Sequence, residues 1–141
     1  MKSYTGKMII LDSSFLVAIE VETDQNHEKA VEIRDRIIKR EFGTVLISDY
    51  IFDETITATF QKTRDLKKTI LMGTNLRNAI QIINVEEETF EEAWNIFKKQ
   101  ENTKFSFTDC TILSIMKLHE IKYIATYNKD FEKVISISVI K

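Results

Sequence analysis

Proline is absent from this 141-residue chain, cysteine occurs once and glycine three times. Without proline, and with glycine only at positions 6, 43 and 73, there is no composition for a flexible linker or a low-complexity segment. The same scarcity excludes the glycine-rich turn of a dinucleotide-binding domain. The lone Cys110 rules out an internal disulfide and a cysteine metal cluster, and it suits a reducing cytosol. No apolar run approaches the roughly 20 residues of a membrane span. The opening MKSYTGK leads straight into a strand-like run without the longer apolar core of a signal peptide, so a cytoplasmic location is expected. No internal repeat is found. A net charge of −2 gives no global pull on nucleic acid, so any such binding needs local basic patches.

What is present reads as one globular domain over residues 1–141. An apolar share of 43% and a charged share of 30% are those of an ordinary folded chain. At this length folding buries about 70% of the surface the unfolded chain exposes. The run Lys7 to Leu11 reads as a buried strand, with Asp12 or Ser13 opening a helix. Asp24 is the expected N-cap of a second helix that Gly43 stops. Thr44 to Ile47 is a second strand, and Ser48 or Asp49 caps a helix carrying Glu54. Another helix follows Asp65 to about Asn78. Ile80 to Val85 is a third strand, leading into EEETFEEAW, whose acids favour a helix start. Thr108 is the expected cap of a helix to about His119. Ile121 to Ala125 and Val134 to Ile140 are the fourth and fifth strands, with a short helical turn between. Strands alternating with helices predict an α/β fold, three layers deep, around a mainly parallel sheet of about five strands. Short, wholly apolar runs such as MIIL fit strands covered on both faces.

Acidic residues recur where these runs end. Asp12 follows the first strand, Asp53 and Glu54 lie early in the third helix, Asp109 opens a largely apolar helix, and Asn128 and Asp130 follow the fourth strand. Each has an ordinary use. Asp12 and Asp109 can cap helices, Asp53 or Glu54 can be a solvated charge, and Asn128 and Asp130 suit turns. Asp53 and Glu54 flank the stripe Ile51, Phe52, Thr55, Ile56, Thr59 on opposite sides, so periodicity does not choose between them. Together these positions can gather at one edge of a parallel sheet, where open α/β sheets bind ligands.

In order, ILDSSFLVA, Ser48 with Glu54 six residues on, FSFTDCTIL and IATYNKDF resemble the PIN-domain family, particularly VapC-type toxin ribonucleases, from about Met8 to Val139. The resemblance implies an acidic core of Asp12, Glu54 and Asp109, with Glu54 chosen over Asp53. Asn128 stands where many relatives carry aspartate, with Asp130 two residues later, and Ser14 and Thr126 match small polar positions near the family's site. It further implies a Mg²⁺- or Mn²⁺-dependent endoribonuclease leaving 5′-phosphate and 3′-hydroxyl ends, an antitoxin of the VapB type as partner, and a possible homodimer.

Phosphodiester cleavage needs an activated water, a neutralised phosphate and a stabilised leaving oxygen, all of which divalent ions supply. Mg²⁺ and Mn²⁺ prefer hard oxygen ligands. Asp12 and Asp109 are the expected principal ligands, Glu54 a ligand or water-orienting base, and Asn128 or Asp130 the outer shell. Lys62, Arg64, Lys67, Lys68, Arg77 and Lys104 are candidate phosphate contacts. Tyr50, Phe105, Phe107 and Tyr127 are candidate base-stacking rings. Trp94 fits helix packing, Cys110 a buried filler, and His27 and His119 helix surfaces. Ile51, Phe60, Ile70 and Leu71 suit an antitoxin groove, a dimer face or the core. A phospho-receiver domain and a phosphatase with an Asp-x-Asp motif fit poorly, since Ser13 and Ser14 follow Asp12. The competing account is a non-catalytic interaction module with a vestigial acidic site, which Asn128 favours.

Overall fold

A computed structural model describes residues 6–141, so the reading of the opening segment falls, for residues 1–5, outside the described residues. The strands are β1 (Met8–Leu11), β2 (Thr44–Ser48), β3 (Gln81–Ile83), β4 (Tyr123–Ala125) and β5 (Ser138–Ile140). The helices are α1 (Ser13–Glu20), α2 (His27–Ile38), α3 (Asp49–Thr63), α4 (Leu66–Ala79), α5 (Glu87–Lys98) and α6 (Phe107–Leu118), with a 3₁₀ turn at Lys129–Lys133.

The strands form one parallel sheet in the order β3-β2-β1-β4-β5. β1 is central, with Ile10 in register with Leu46 on one side and Ile124 on the other. Its four residues are all buried, as a strand covered on both faces requires. The edge strands β3 and β5 are half-exposed. From β1 the chain builds outward to β2 and β3, then returns to place β4 on the other side of β1. Right-handed crossovers send α1–α4 to one face and α5–α6 to the other. The reversal between β1 and β4 is a topological switch point, which opens a crevice at the C-terminal ends of those strands.

The elements follow local chemistry, with several differences from expectation. Asp12, Ser48 and Asp65 cap α1, α3 and α4, each accepting a backbone N–H through its side chain. α2 begins later than Asp24 predicts. Its N-cap is Asn26, and Asp24 instead accepts the Asn26 N–H in a turn at 2.8 Å. Nor does Gly43 end α2, because the left-handed residue after that helix is Arg40 and Gly43 lies beside Lys7 at the start of β2. The cap of α6 is Ser106 rather than Thr108, and Ser106 with Asp109 forms a complete capping box. β3, β4 and β5 are each three residues long, shorter than their apolar runs suggest, because the flanking residues turn into loops and caps. Among the described residues, no helix is long and apolar enough to cross a membrane.

Candidate active site

Asp12, at the C-terminal end of β1, is almost completely buried, at 2% exposure. Its Oδ1 accepts the Ser13 N–H at 2.8 Å, while Oδ2 accepts hydroxyls from Ser14 at 2.9 Å and Thr126 at 2.6 Å. Thr126 follows β4, so these bonds lie across the switch point. Burial raises the Asp12 carboxyl above its ordinary range. The Thr126 and Ser14 hydroxyls oppose that rise, and the charge of Glu54 adds to it.

Glu54, in the second turn of α3, is half-buried and reaches Ser13, whose hydroxyl donates to Oε1 at 2.5 Å. Asp53, its neighbour, is exposed. Asp109 is buried in the first turn of α6, where its Oδ2 accepts the Ser106 N–H at 2.9 Å and the Asn128 side-chain amide at 3.3 Å. Its carboxyl is pushed up to about 6, first by burial and next by the charge of Asp12, with a smaller push from Glu54 and an opposing pull from Ser106. Asp12, Glu54 and Asp109 therefore share one electrostatic environment. Among the described residues, however, no three His, Cys, Asp or Glu side chains stand together as a ready-made metal cage. Hydroxyls and amides engage the carboxylate tips instead.

The remaining acid points elsewhere. One oxygen of Asp130 accepts the Lys104 N–H at 2.8 Å and the other meets Lys133 at 3.0 Å, so it ties the segment before α6 to the 3₁₀ turn. Those partners hold its carboxyl below the usual range. Asn128 sits between the two acids: its Oδ1 accepts the Asp130 N–H at 3.0 Å and its amide faces Asp109.

A deciding observation comes from comparison with known families: the model of the PIN domain matches residues 9–136. The chain belongs to the PIN domain family. Among its relatives is the 23S rRNA-specific endonuclease VapC20 of Mycobacterium tuberculosis, 23% identical over 124 residues, which cover 88% of this chain and 92% of that protein. The crystal structure of VapC20, described as a Sarcin-Ricin loop cleaving toxin, superposes with a TM-score of 0.78 at 20% identity, covering 92% of this chain and 96% of that one. DNA-bound VapBC from Salmonella typhimurium superposes with a TM-score of 0.70 at 14% identity, over 96% and 98% of the two chains. These likenesses carry the PIN fold.

Within this PIN domain the other expected contacts sort by burial. Phe105 is buried against Phe131, which removes it from the base-stacking candidates. Phe107 packs among Tyr50, Phe90 and Phe97. Ile51, on the inner side of α3, is fully buried and belongs to the core, whereas Phe60, Ile70 and Leu71 are exposed. His27 is partly buried, its Nδ1 within 2.8 Å of the Ala18 carbonyl. Lys62 lies eight residues beyond Glu54 on α3, about 12 Å along the axis, so that basic cluster starts two turns from the acids. Two contributors escaped the sequence reading. Ser106 was legible as the S-x-x-D spacing of a capping box. Ser13, which links Asp12 to Glu54, left no sequence signal, because its partner lies 41 residues away.

Proposed function

We propose that this chain is a metal-dependent endoribonuclease, the toxin of a VapBC-type pair, hydrolysing RNA phosphodiesters at the C-terminal edge of its sheet. The observation that carries the proposal is the shared electrostatic environment of Asp12, Glu54 and Asp109 at the switch point, where two buried carboxyls are raised. Buried acids that raise one another are poised to be neutralised by a cation. The likeness to VapC20 supports RNA as substrate, and the likeness to VapBC complexes supports an antitoxin partner.

The donor set fits Mg²⁺ or Mn²⁺ in kind, since it offers three carboxylates and neighbouring hydroxyls, all hard oxygens. Asp12, Asp109 and Glu54 would hold the ion, which supplies charge neutralisation and an activated water when bound. The protein does the rest. Ser14, Thr126 and the Ser13 N–H fix the Asp12 carboxylate and leave Oδ1 a free lone pair. Ser106 and Asn128 orient Asp109 through one oxygen, leaving Oδ1 open. Ser13 steadies Glu54, which stands ready to ligate or to orient the attacking water. Asn128 is not a defect on this account: a neutral amide donates to Asp109, where a fourth carboxylate would repel it. The products would carry 5′-phosphate and 3′-hydroxyl ends.

The antitoxin and any second copy of the chain would find apolar surface at Phe60, Leu66, Ile70 and Leu71 on α3 and α4, all exposed. The test is cleavage of a mixed RNA pool with Mn²⁺ by wild type and by Asp12→Asn. Cleavage by wild type, lost by at least about a thousandfold in the variant, is expected from removal of a ligand to a metal that supplies several kcal/mol. Equal cleavage by both proteins defeats the mechanism. Absence of cleavage by wild type, with no stabilisation by Mn²⁺, favours the second reading, a PIN module that only binds partners.

A further inference from the structure

A polar pocket of about 460 Å³ opens beside the acids, between the segment before α2 and the 3₁₀ turn. Its size lies in the range that small-ligand sites occupy. Two residues that line it, Thr126 and Asn128, also donate to Asp12 and Asp109 respectively. The pocket and the acidic basin therefore share a wall.

The lining has the chemistry of a nucleotide site. Lys29 and Lys129 are among its lining residues, and both are exposed. Lys29 leans on Glu32 at 3.6 Å with both side chains largely exposed, and Lys129 has no ion pair among the described residues. A third cation, Lys141, is offset by Glu132 at 2.5 Å. Gln25 and Asn26 present side-chain amides with no hydrogen-bond partner among the described residues. Such amides offer both donors and acceptors to a base edge. Tyr127 forms part of the wall, and its hydroxyl is buried without a hydrogen-bond partner among the described residues. Ammonium groups that are free or weakly paired suit phosphate, and unpaired amides suit a base.

We propose that this pocket seats the RNA nucleotide next to the scissile phosphate, with its phosphate on Lys29 and Lys129 and its base edge read by Gln25 and Asn26. The proposal rests on the ribonuclease reading above and adds a subsite to it. Lys29 and Lys129 are binding residues, and Gln25 and Asn26 set which base is accepted. A single strand is the form that fits, because a base must leave its stack to enter.

Binding and cutting are measured separately. Asp12→Asn protein, which retains the pocket, is titrated into a fluorescent single-stranded RNA of mixed sequence at two salt concentrations. Adding Lys29→Glu and Lys129→Glu is expected to weaken binding by about tenfold or more and to flatten the salt dependence by about 0.7 per lost phosphate contact. Lys122→Glu, at the opposite end of β4, is expected to change affinity less than about twofold, by the distance of an exposed charge from the strand. In the otherwise wild-type enzyme, Asn26→Ala is expected to alter the base preferred beside the cut. Unchanged affinity for the double lysine variant, or an equal loss from Lys122→Glu, overturns the subsite while leaving the ribonuclease reading intact if wild type still cuts. If wild type neither cuts nor, as Asp12→Asn, binds RNA, both fall together.

Discussion

Asp12 and Asp109 each serve twice: Asp12 caps α1 and Asp109 closes the capping box that Ser106 opens on α6, while both belong to a buried acidic group. Capping explains how such carboxylates are tolerated: backbone N–H groups and hydroxyls partly repay the water they lose. The repayment is incomplete, and this has a measurable consequence. The Asp109 carboxyl titrates at about 6 in the folded protein against 3.8 ordinarily, so the folded state binds its proton more tightly. The stability this proton confers is fully present below pH 3.8 and is lost as pH rises through about 6. Relative to Asp109→Asn, the metal-free wild type should therefore lose up to about 3 kcal/mol between pH 4 and pH 7, at about 1.4 kcal/mol per pKa unit. Paired urea denaturations of the two proteins read this directly, and the comparison cancels groups with the opposite tendency, such as Glu41 and Asp130. A constant difference across that range would show that Asp109 is not raised. Asp12 was legible because a strand-like run followed by a cap is a local pattern, and Asp109 because a cap residue opening a largely apolar helix is another. The choice of Glu54 over Asp53 was not local, because both flank the same stripe. A hydroxyl from another helix distinguishes them, with Ser13 meeting Glu54 while Asp53 remains in solvent. Asp130 shows the converse: its sequence setting suggests the crevice, but Lys104 and Lys133 hold it outside the group.

Among the elements, β1 depends on a contact that composition does not reveal. The Thr44 N–H donates to the Lys7 carbonyl at 3.0 Å, which starts the β1–β2 ladder and sets Met8 opposite Thr44. Gly43 permits that approach. Its φ is +84°, and a Cβ there would lie 2.1 Å from the Lys7 oxygen, a backbone atom that cannot swing aside. Gly43→Ala is therefore expected to cost more than about 2 kcal/mol, combining left-handed strain with a displaced strand end. Chemical denaturation measures it, and a loss below about 0.5 kcal/mol, the usual effect of a surface change, would mean the ladder does not need the glycine. Gly73 makes a contrasting case, since a Cβ there would press on the movable tip of Ile56 at 2.8 Å and meet Phe52 at an ordinary contact distance of 3.6 Å. The order and type of elements were legible because apolar runs of four to six residues alternate with helical stretches bearing caps. Their boundaries were less so. Asp24 and Thr108 are sound cap residues in isolation, but Asn26 and Ser106 fill those places, since a turn engages Asp24 and a capping box captures the start of α6. Gly43 carries a glycine's conformational signature but serves a strand entry instead of a helix exit.

At the scale of the whole molecule, strand order gathers what the chain separates. With β1 flanked by β2 and β4, residues from four elements are linked at one crevice: Thr126 bonds to Asp12, Ser13 to Glu54, and Asp109 feels the charges of Asp12 and Glu54. The sheet is closely packed below that crevice, where Ile9, Ile10, Ile47 and Ile124 are fully buried, so the acids stand on a rigid floor. Such a floor holds three mutually repelling carboxylates near one another at a cost to the metal-free protein. A divalent ion that binds only the folded crevice would recover stability by mass action. At about one hundred times its dissociation constant the gain is about 2.7 kcal/mol, which for a domain of this size is a rise of roughly 5–10 °C in Tm. Thermal unfolding with and without Mn²⁺ at pH 7.5 tests it, away from the titration of Asp109. Wild type should show the rise. Asp12→Asn and Asp109→Asn should each lose most of it while melting, without metal, no lower than wild type, because each removes a buried charge that folding penalises. Asp130→Asn should keep the full rise, since its carboxylate serves Lys104 and Lys133. An equal rise in all four proteins would place the ion elsewhere on the surface, and the crevice would then be an acidic fold feature without a metal to organise.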